Sequence, residues 1–172
     1  LNSIAMPISR RQFVQNSALT LTGAALFSKS IFAGQKNKTI TGVQLYSVRD
    51  EMTKDPLGTL KKVSEMGYRH VEHANYVDRK FYGYGATEFK KILADLNLKM
   101  PSGHTVLAKQ HWDDSKKEFT DLWKYTVEDA AILGQEFVIS PWLDNSWRKD
   151  ESTLKYYMDV FNKSGELCKK SG

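Results

Sequence analysis

Along the chain, apolar runs of about seven residues alternate with longer segments in which apolar residues recur every three to four positions. The first run is "ITGVQLY", Ile40 to Tyr46. A helix follows from Pro56 to Met66, with Asp55 as its cap, Leu57, Leu60, Val63 and Met66 on one face, and Gly67 as its stop. "YRHVEHA" (Tyr68 to Ala74) reads as a second strand. After a loop holding Gly83 and Gly85, Thr87 is placed to cap a helix with Phe89, Ile92, Leu93 and Leu96 along one stripe. "LKMPSGH" (Leu98 to His104) is a third strand, weakened by Pro101 and Gly103. Ser115 and Glu118 have capping-box spacing for a helix carrying Phe119, Leu122, Trp123, Val127 and Ala130 up to Gly134. "FVISPWL" (Phe137 to Leu143) is a fourth strand, and Leu154, Tyr157, Met158 and Phe161 mark a helix running towards Leu167.

Strand and helix thus alternate with a period of roughly 30 to 40 residues, the pattern of parallel βα units. An open doubly wound sheet and part of a (β/α)8 barrel both have this pattern. "YSVRDEMTKDP", after the first strand, lacks the glycine fingerprint of a dinucleotide-binding sheet, and no Walker-type loop occurs. In parallel α/β folds the carboxyl ends of the strands face the ligand. All four strands here end in hydrogen-bonding or stacking side chains: Gln44 and Tyr46; His70, Glu72 and His73; Ser102 and His104; Ser140 and Trp142. Together they predict one face of a site.

Residues 1–33 have a different character. They contain no Asp or Glu. "SRRQFVQ" precedes an apolar run from Ala18 to Phe27, and a small residue stands at Ala33. A basic start, a short apolar centre and a small residue describe an export signal, and Arg10 and Arg11 followed by Phe13 give it twin-arginine form. The domain division is therefore 1–33 as a removable signal and 34–172 as the folded part, exported to the periplasm. No run of about 18 apolar residues occurs, so no stable membrane anchor is expected.

Setting the signal aside changes the charge picture. The whole chain carries +5, with 25 Lys and Arg against 20 Asp and Glu; without residues 1–33 the basic residues fall to 22 and the balance to +2. The remaining basic residues are interleaved with acids, so no nucleic-acid surface is expected. Cys168 is the one cysteine, set in an amphipathic segment, and reads as a packed thiol rather than a nucleophile.

"GVQLYSVRD", "MGYRHVEHANY" and "PSGH" resemble the xylose isomerase-like barrel superfamily, and within it the bacterial sugar phosphate isomerase/epimerase group, over roughly Thr39 to Gly172. The resemblance implies a (β/α)8 TIM barrel and a divalent metal (manganese, magnesium, cobalt or zinc). It also implies proton transfer next to the carbonyl of a sugar or sugar derivative. A full barrel needs about 250 residues, whereas Thr39 to Gly172 is 134 residues and four βα units. The reading is an amino-terminal half, and the family's metal ligands and acid/base carboxylates, which come mainly from later strands, are assigned to no residue here. A half-barrel closed by homo-oligomerisation is the alternative arrangement.

Gln44, Tyr46, Glu72, His104 and Trp142 are the candidate substrate-binding residues. Gln44 and Tyr46 share a face if the first strand reaches Tyr46. Glu72 and His73 must take opposite faces, and Glu72 is assigned the inner one. His104 matches a histidine that the resemblance places at the third strand end, and Trp142 offers a ring for a sugar face. His104 and His111 lack an adjoining carboxylate pattern and are not a metal pair. The aromatic "KFYGYG" (Lys80 to Gly85) is a loop over the site. The expected function is a metal-dependent sugar isomerase or epimerase. A non-catalytic periplasmic carbohydrate-binding or assembly module, and more remotely an abasic-site endonuclease relative, are the alternatives.

Overall fold

The computed structural model describes residues 42–172. The export-signal segment lies outside them, as does the start of the first expected strand.

Four short parallel strands form one sheet in the order β1 (Gly42–Gln44), β2 (His70–His73), β6 (Lys99–His104), β9 (Phe137–Ile139). Helices intervene: α1 (Arg49–Lys54) and α2 (Pro56–Glu65), then α3 (Ala86–Asp95), α4 (Asp121–Leu133) and α5 (Glu151–Ser171). Sequential strands are spatial neighbours and all parallel, which is the βα order expected of a barrel segment. The outer edges of β1 and β9, at opposite ends of the sheet, have no strand beside them among the described residues.

Local chemistry explains most helix ends. The Asp55 carboxylate accepts from Gly58 N at 2.9 Å and Pro56 occupies the first helical position of α2. Asp150 caps α5 by accepting from Thr153 N at 2.8 Å. That bond, with a second from Ser152, depresses its carboxyl to about 2. Gly134, at φ 80°, closes α4 in a left-handed conformation that a Cβ would resist.

Four expectations are corrected. The first strand stops at Gln44, because Leu45–Val48 turn into a single 3-10 turn that drives Leu45 fully into the core. Ser115 and Glu118 cap no helix. The Asp113 carboxylate gathers Ser115 N, Ser115 Oγ and Lys116 N into a turn between β7 (Trp112–Asp113) and β8 (Glu118–Phe119). α4 then starts six residues after Ser115. α3 is preceded by Gly85 rather than capped by Thr87. The fourth strand ends at Ile139, ahead of Pro141 and Trp142.

"KFYGYG" is a small sheet rather than an irregular loop. β3 (Tyr76–Val77), β4 (Lys80–Phe81) and β5 (Tyr84–Gly85) pair antiparallel through two two-residue turns, Asp78–Arg79 and Tyr82–Gly83. All four turn residues have positive φ, as type I′ turns require. This flap is clamped to α4. Arg79 donates to both oxygens of the buried Asp129 carboxylate at 3.0 and 2.7 Å, and Tyr76 Oη adds a 2.6 Å bond. Burial and the Asp129 charge together push the Tyr76 phenol well above its ordinary value.

The core has two parts. One, with Leu45, Leu60, Val71, Phe81, Phe89 and Met100, lies between the sheet and the helices of the first three units. The other, with Leu107, Trp112, Trp123, Trp147 and Val160, binds α4 and α5 to the loops after β6 and β9. Two of its ring N–H groups find partners, Trp123 in Ser164 and Trp112 in Tyr156, both at 2.9 Å, while the buried Trp147 Nε1 has none. Cys168 lies half-buried beside this second core, where burial raises its thiol pKa.

β6 carries a bulge: His70 pairs with Lys99, yet Glu72 pairs with Ser102. Beyond it, Gly103 provides the seat for the buried His73 ring, and a Cβ at Gly103 would fall inside that ring. Gly103→Ala is therefore expected to destabilise the fold by about 1–3 kcal/mol. In urea denaturation, the loss in the Gly103→Ala/His73→Ala double variant should be clearly smaller than the sum of the single losses. Strict additivity would show that the ring is not what the glycine accommodates.

Candidate functional site

Registered parallel strands bring residues from distant sequence into one row. Gln44 pairs with Glu72, and Glu72 with Ser102. Alternation sends these side chains to the face opposite Val71 and His73, which are buried against the helices. His104, two residues beyond Ser102, joins them.

The four side chains meet. Ser102 Oγ donates to Glu72 Oε2 at 2.5 Å. Gln44 Nε2 donates to Glu72 Oε1 at 3.1 Å and lies 2.9 Å from His104 Nδ1 and 3.0 Å from its Nε2. His104 Nε2 is 3.0 Å from Glu72 Oε1. Placing the ring proton on Nε2 lets that nitrogen donate to Glu72 while Nδ1 accepts from Gln44, so the network assigns the tautomer. Glu72 and His104 keep about a fifth to a quarter of their side-chain surface exposed, 21% and 24%. A carboxylate offers about four acceptor positions. Three donors occupy three, which leaves one on Oε2 for a ligand hydroxyl or a proton.

Three of the five expected site residues, Gln44, Glu72 and His104, thus come together. Tyr46 does not join them: it follows the 3-10 turn into solvent, more than half exposed, under the Arg49 guanidinium at 4.7 Å. Trp142 also stays apart, more than half exposed in the loop after β9, where its carbonyl accepts from Ser140. Ser102 was not among the assigned residues. Its i, i+2 relation to His104 was the available signal, since both must share a face.

His73 lies on the other face. It is packed edge-on against Phe81 at 4.8 Å, and its Nδ1 has no partner. Burial first, then the nearby His104, lowers its pKa to about 3. His111, in the loop after β6, accepts from Ala108 N on Nδ1 at 3.0 Å, and burial lowers its pKa as well.

Among the described residues no group of three or more His, Cys, Asp or Glu converges as a metal would need. Glu72 and His104 come close, but they bond to each other. Two donors that are already paired with each other are by themselves too few to hold a divalent metal, and no helix among the described residues is long and apolar enough to cross a membrane.

No protein-family model matches the chain, and no curated protein matches it. Solved structures do. Its structural neighbours are sugar phosphate isomerases/epimerases. One, from Parabacteroides distasonis, has a TM-score of 0.60 and 28% identity over 76% of this chain and 50% of its own. A second from the same organism has a TM-score of 0.64 and 23% identity over 80% of this chain and 51% of its own. The chain spans about half the length of the structures it matches. The superfamily resemblance carried by "GVQLYSVRD" therefore has structural support at the level of a parallel α/β, TIM-barrel isomerase-like fold.

The buried His73 makes stability pH-dependent. Between its ordinary 6.5 and about 3, the unfolded chain binds a proton that the folded chain does not. Stability then falls as pH drops through that window, by up to about 1.4 kcal/mol per pH unit. Urea midpoints between pH 6.5 and 4.5 should drop less steeply in His73→Leu than in the wild type. Equal slopes would remove His73 as the cause.

Proposed function

We propose that the protein acts on a sugar or sugar derivative as an isomerase or epimerase, moving a proton on carbon next to a carbonyl. The observation that carries this reading is the Glu72 carboxylate, held by Ser102, Gln44 and His104 at the carboxyl ends of adjacent parallel strands with one acceptor position free. Such a group takes up either a sugar hydroxyl or the proton being moved. Its three donors fix its position before substrate arrives, so no reorganisation accompanies proton transfer. The neighbours, named as sugar phosphate isomerases/epimerases, are consistent with that chemistry.

In this proposal residues 34–172 are the amino-terminal half of a longer barrel. Matching half the length of its neighbours supports it, as do the two sheet edges that further strands would cover. Arg10 and Arg11 support export of the protein to the periplasm. The divalent metal that the resemblance implies would need ligands other than the paired Glu72 and His104, and no step here is routed through it.

A second reading is a carbohydrate-binding module without turnover. It is favoured by the engagement of Glu72 with three donors, an arrangement that suits receiving a hydroxyl as well as it suits abstracting a proton.

Glu72→Gln keeps the shape and removes the base. In protein expressed from the complete gene, it is expected to lower isomerisation, followed as solvent-deuterium incorporation at the sugar carbon, by about 10²–10⁴-fold. Wild-type rates in the variant would exclude Glu72 from the chemistry. Sugar binding that persists in chelator with no deuterium incorporation in any variant would establish the binding-module reading instead.

A further inference from the structure

A cleft of about 400 Å³ adjoins the Glu72 cluster and shares His104 with it. One wall is the flap, from Ala74 to Arg79. The other is the first turns of α4 with the Gln110–His111 segment. The volume is in the range of small-molecule sites.

Its chemistry is amphipathic and lacks a free cation. Val77, Leu122 and Tyr125 line it with 59%, 56% and 40% of their surface exposed, three large apolar side chains gathered on facing walls. Scattered exposed apolar residues need no explanation, but a group facing one another across a cleft does. Polar atoms come from Asn75, Gln110 and His111. His111 has Nδ1 committed to the Ala108 N–H, which leaves its Nε2–H as the donor. No lysine lines the cleft. Arg79 does, but its guanidinium is engaged by the Asp129 and Glu128 carboxylates and lies 4.2 Å above the Tyr125 ring. Asp78 adds a negative charge. A phosphate dianion here would meet no uncompensated positive partner.

We infer that this cleft takes the second ring of an uncharged two-ring substrate, a glycoside whose sugar ring carries the ketone that proton transfer requires and whose aglycone is apolar or aromatic, rather than the phosphate of a sugar phosphate; simple glycosides, which lack that ketone, bind there without reacting. The inference rests on the sugar-site reading of the Glu72 cluster and specifies its substrate class. The reacting sugar lies over Glu72, Ser102 and Gln44. The attached ring passes His104 and enters between flap and α4, its faces against Leu122, Val77 and Tyr125. Ring oxygens or hydroxyls at its edge meet Gln110, Asn75 and His111.

The test is calorimetric titration of the full chain with methyl and phenyl β-glycosides of glucose, galactose and xylose, and with glucose 6-phosphate and galactose 6-phosphate. For the sugar that binds, the phenyl glycoside is expected to bind about ten-fold tighter than the methyl glycoside, from burial of the ring. The phosphates should bind more weakly than either. Leu122→Ser, at an exposed position outside both cores, and Tyr125→Ala should each bring the phenyl-to-methyl ratio towards one. A phenyl glycoside no tighter than the methyl glycoside overturns the inference, as does a ratio unmoved by both substitutions or a tighter-binding phosphate. If methyl glycoside binding is then still lost in Glu72→Gln, the cluster reading stands and only the cleft assignment fails. Methyl glycoside binding unaffected by Glu72→Gln overturns the cluster reading itself.

Discussion

The site depends on one irregularity in strand pairing. Between His70 and Glu72 on β2, one residue separates the paired positions; between Lys99 and Ser102 on β6, two do. The extra residue flips the parity of β6 midway. Before the bulge, Met100 points into the helix-side core and is 3% exposed. After it, Ser102 and His104 point to the opposite face, where Glu72 waits. In a regular strand Met100, Ser102 and His104 would all share one face. Either Met100 would lose its core or Glu72 its partners. Pro101 sits in the bulge, where its missing N–H does least harm to the ladder, and its carbonyl still accepts from Glu136 N at 2.8 Å.

The same parity change seats His73. With Gly103 turned to the helix side, the imidazole lies over a residue without a side chain and against the Phe81 edge. Phe81 belongs to β4, so the flap is anchored from beneath by the His73–Phe81–Phe89 aromatic column and from the side by Asp129. Arg79 and Tyr82 hold left-handed backbone conformations that bulky residues avoid. The buried ends of Phe81 and the Asp129 clamp hold them there. The flap that walls the candidate cleft is thus built on the underside of the same sheet that displays Glu72.

Much was legible in the residues themselves. Asp55 with Pro56, the stripe Phe89–Ile92–Leu93–Leu96, Gly134 and the βα period each act over three or four positions, or depend on one residue's intrinsic preference. Such signals survive without knowledge of the fold. The convergence of Gln44, Glu72 and His104 was partly legible too, because parallel α/β sheets present strand ends to one side. The errors fell where two local signals competed. Ser115 and Glu118 have capping-box spacing, but Asp113 captured the Ser115 and Lys116 N–H groups first. Tyr46 has the right spacing for a strand that reaches it, but the core's claim on Leu45 ended the strand at Gln44.

The sequence by itself determined the alternation of the four sheet strands with their helices, the Asp55 cap, the Gly134 stop and the polar character of the strand ends, since these rest on contacts between near neighbours in the chain. Tertiary structure alone decided that Ser102 completes the Glu72 cluster, that Tyr46 and Trp142 leave it, and that "KFYGYG" folds into a clamped flap. Those outcomes turn on register between strands about 30 residues apart and on a carboxylate 50 residues from its arginine. A one-residue slip in pairing reverses them, and nothing in the local pattern fixes that slip.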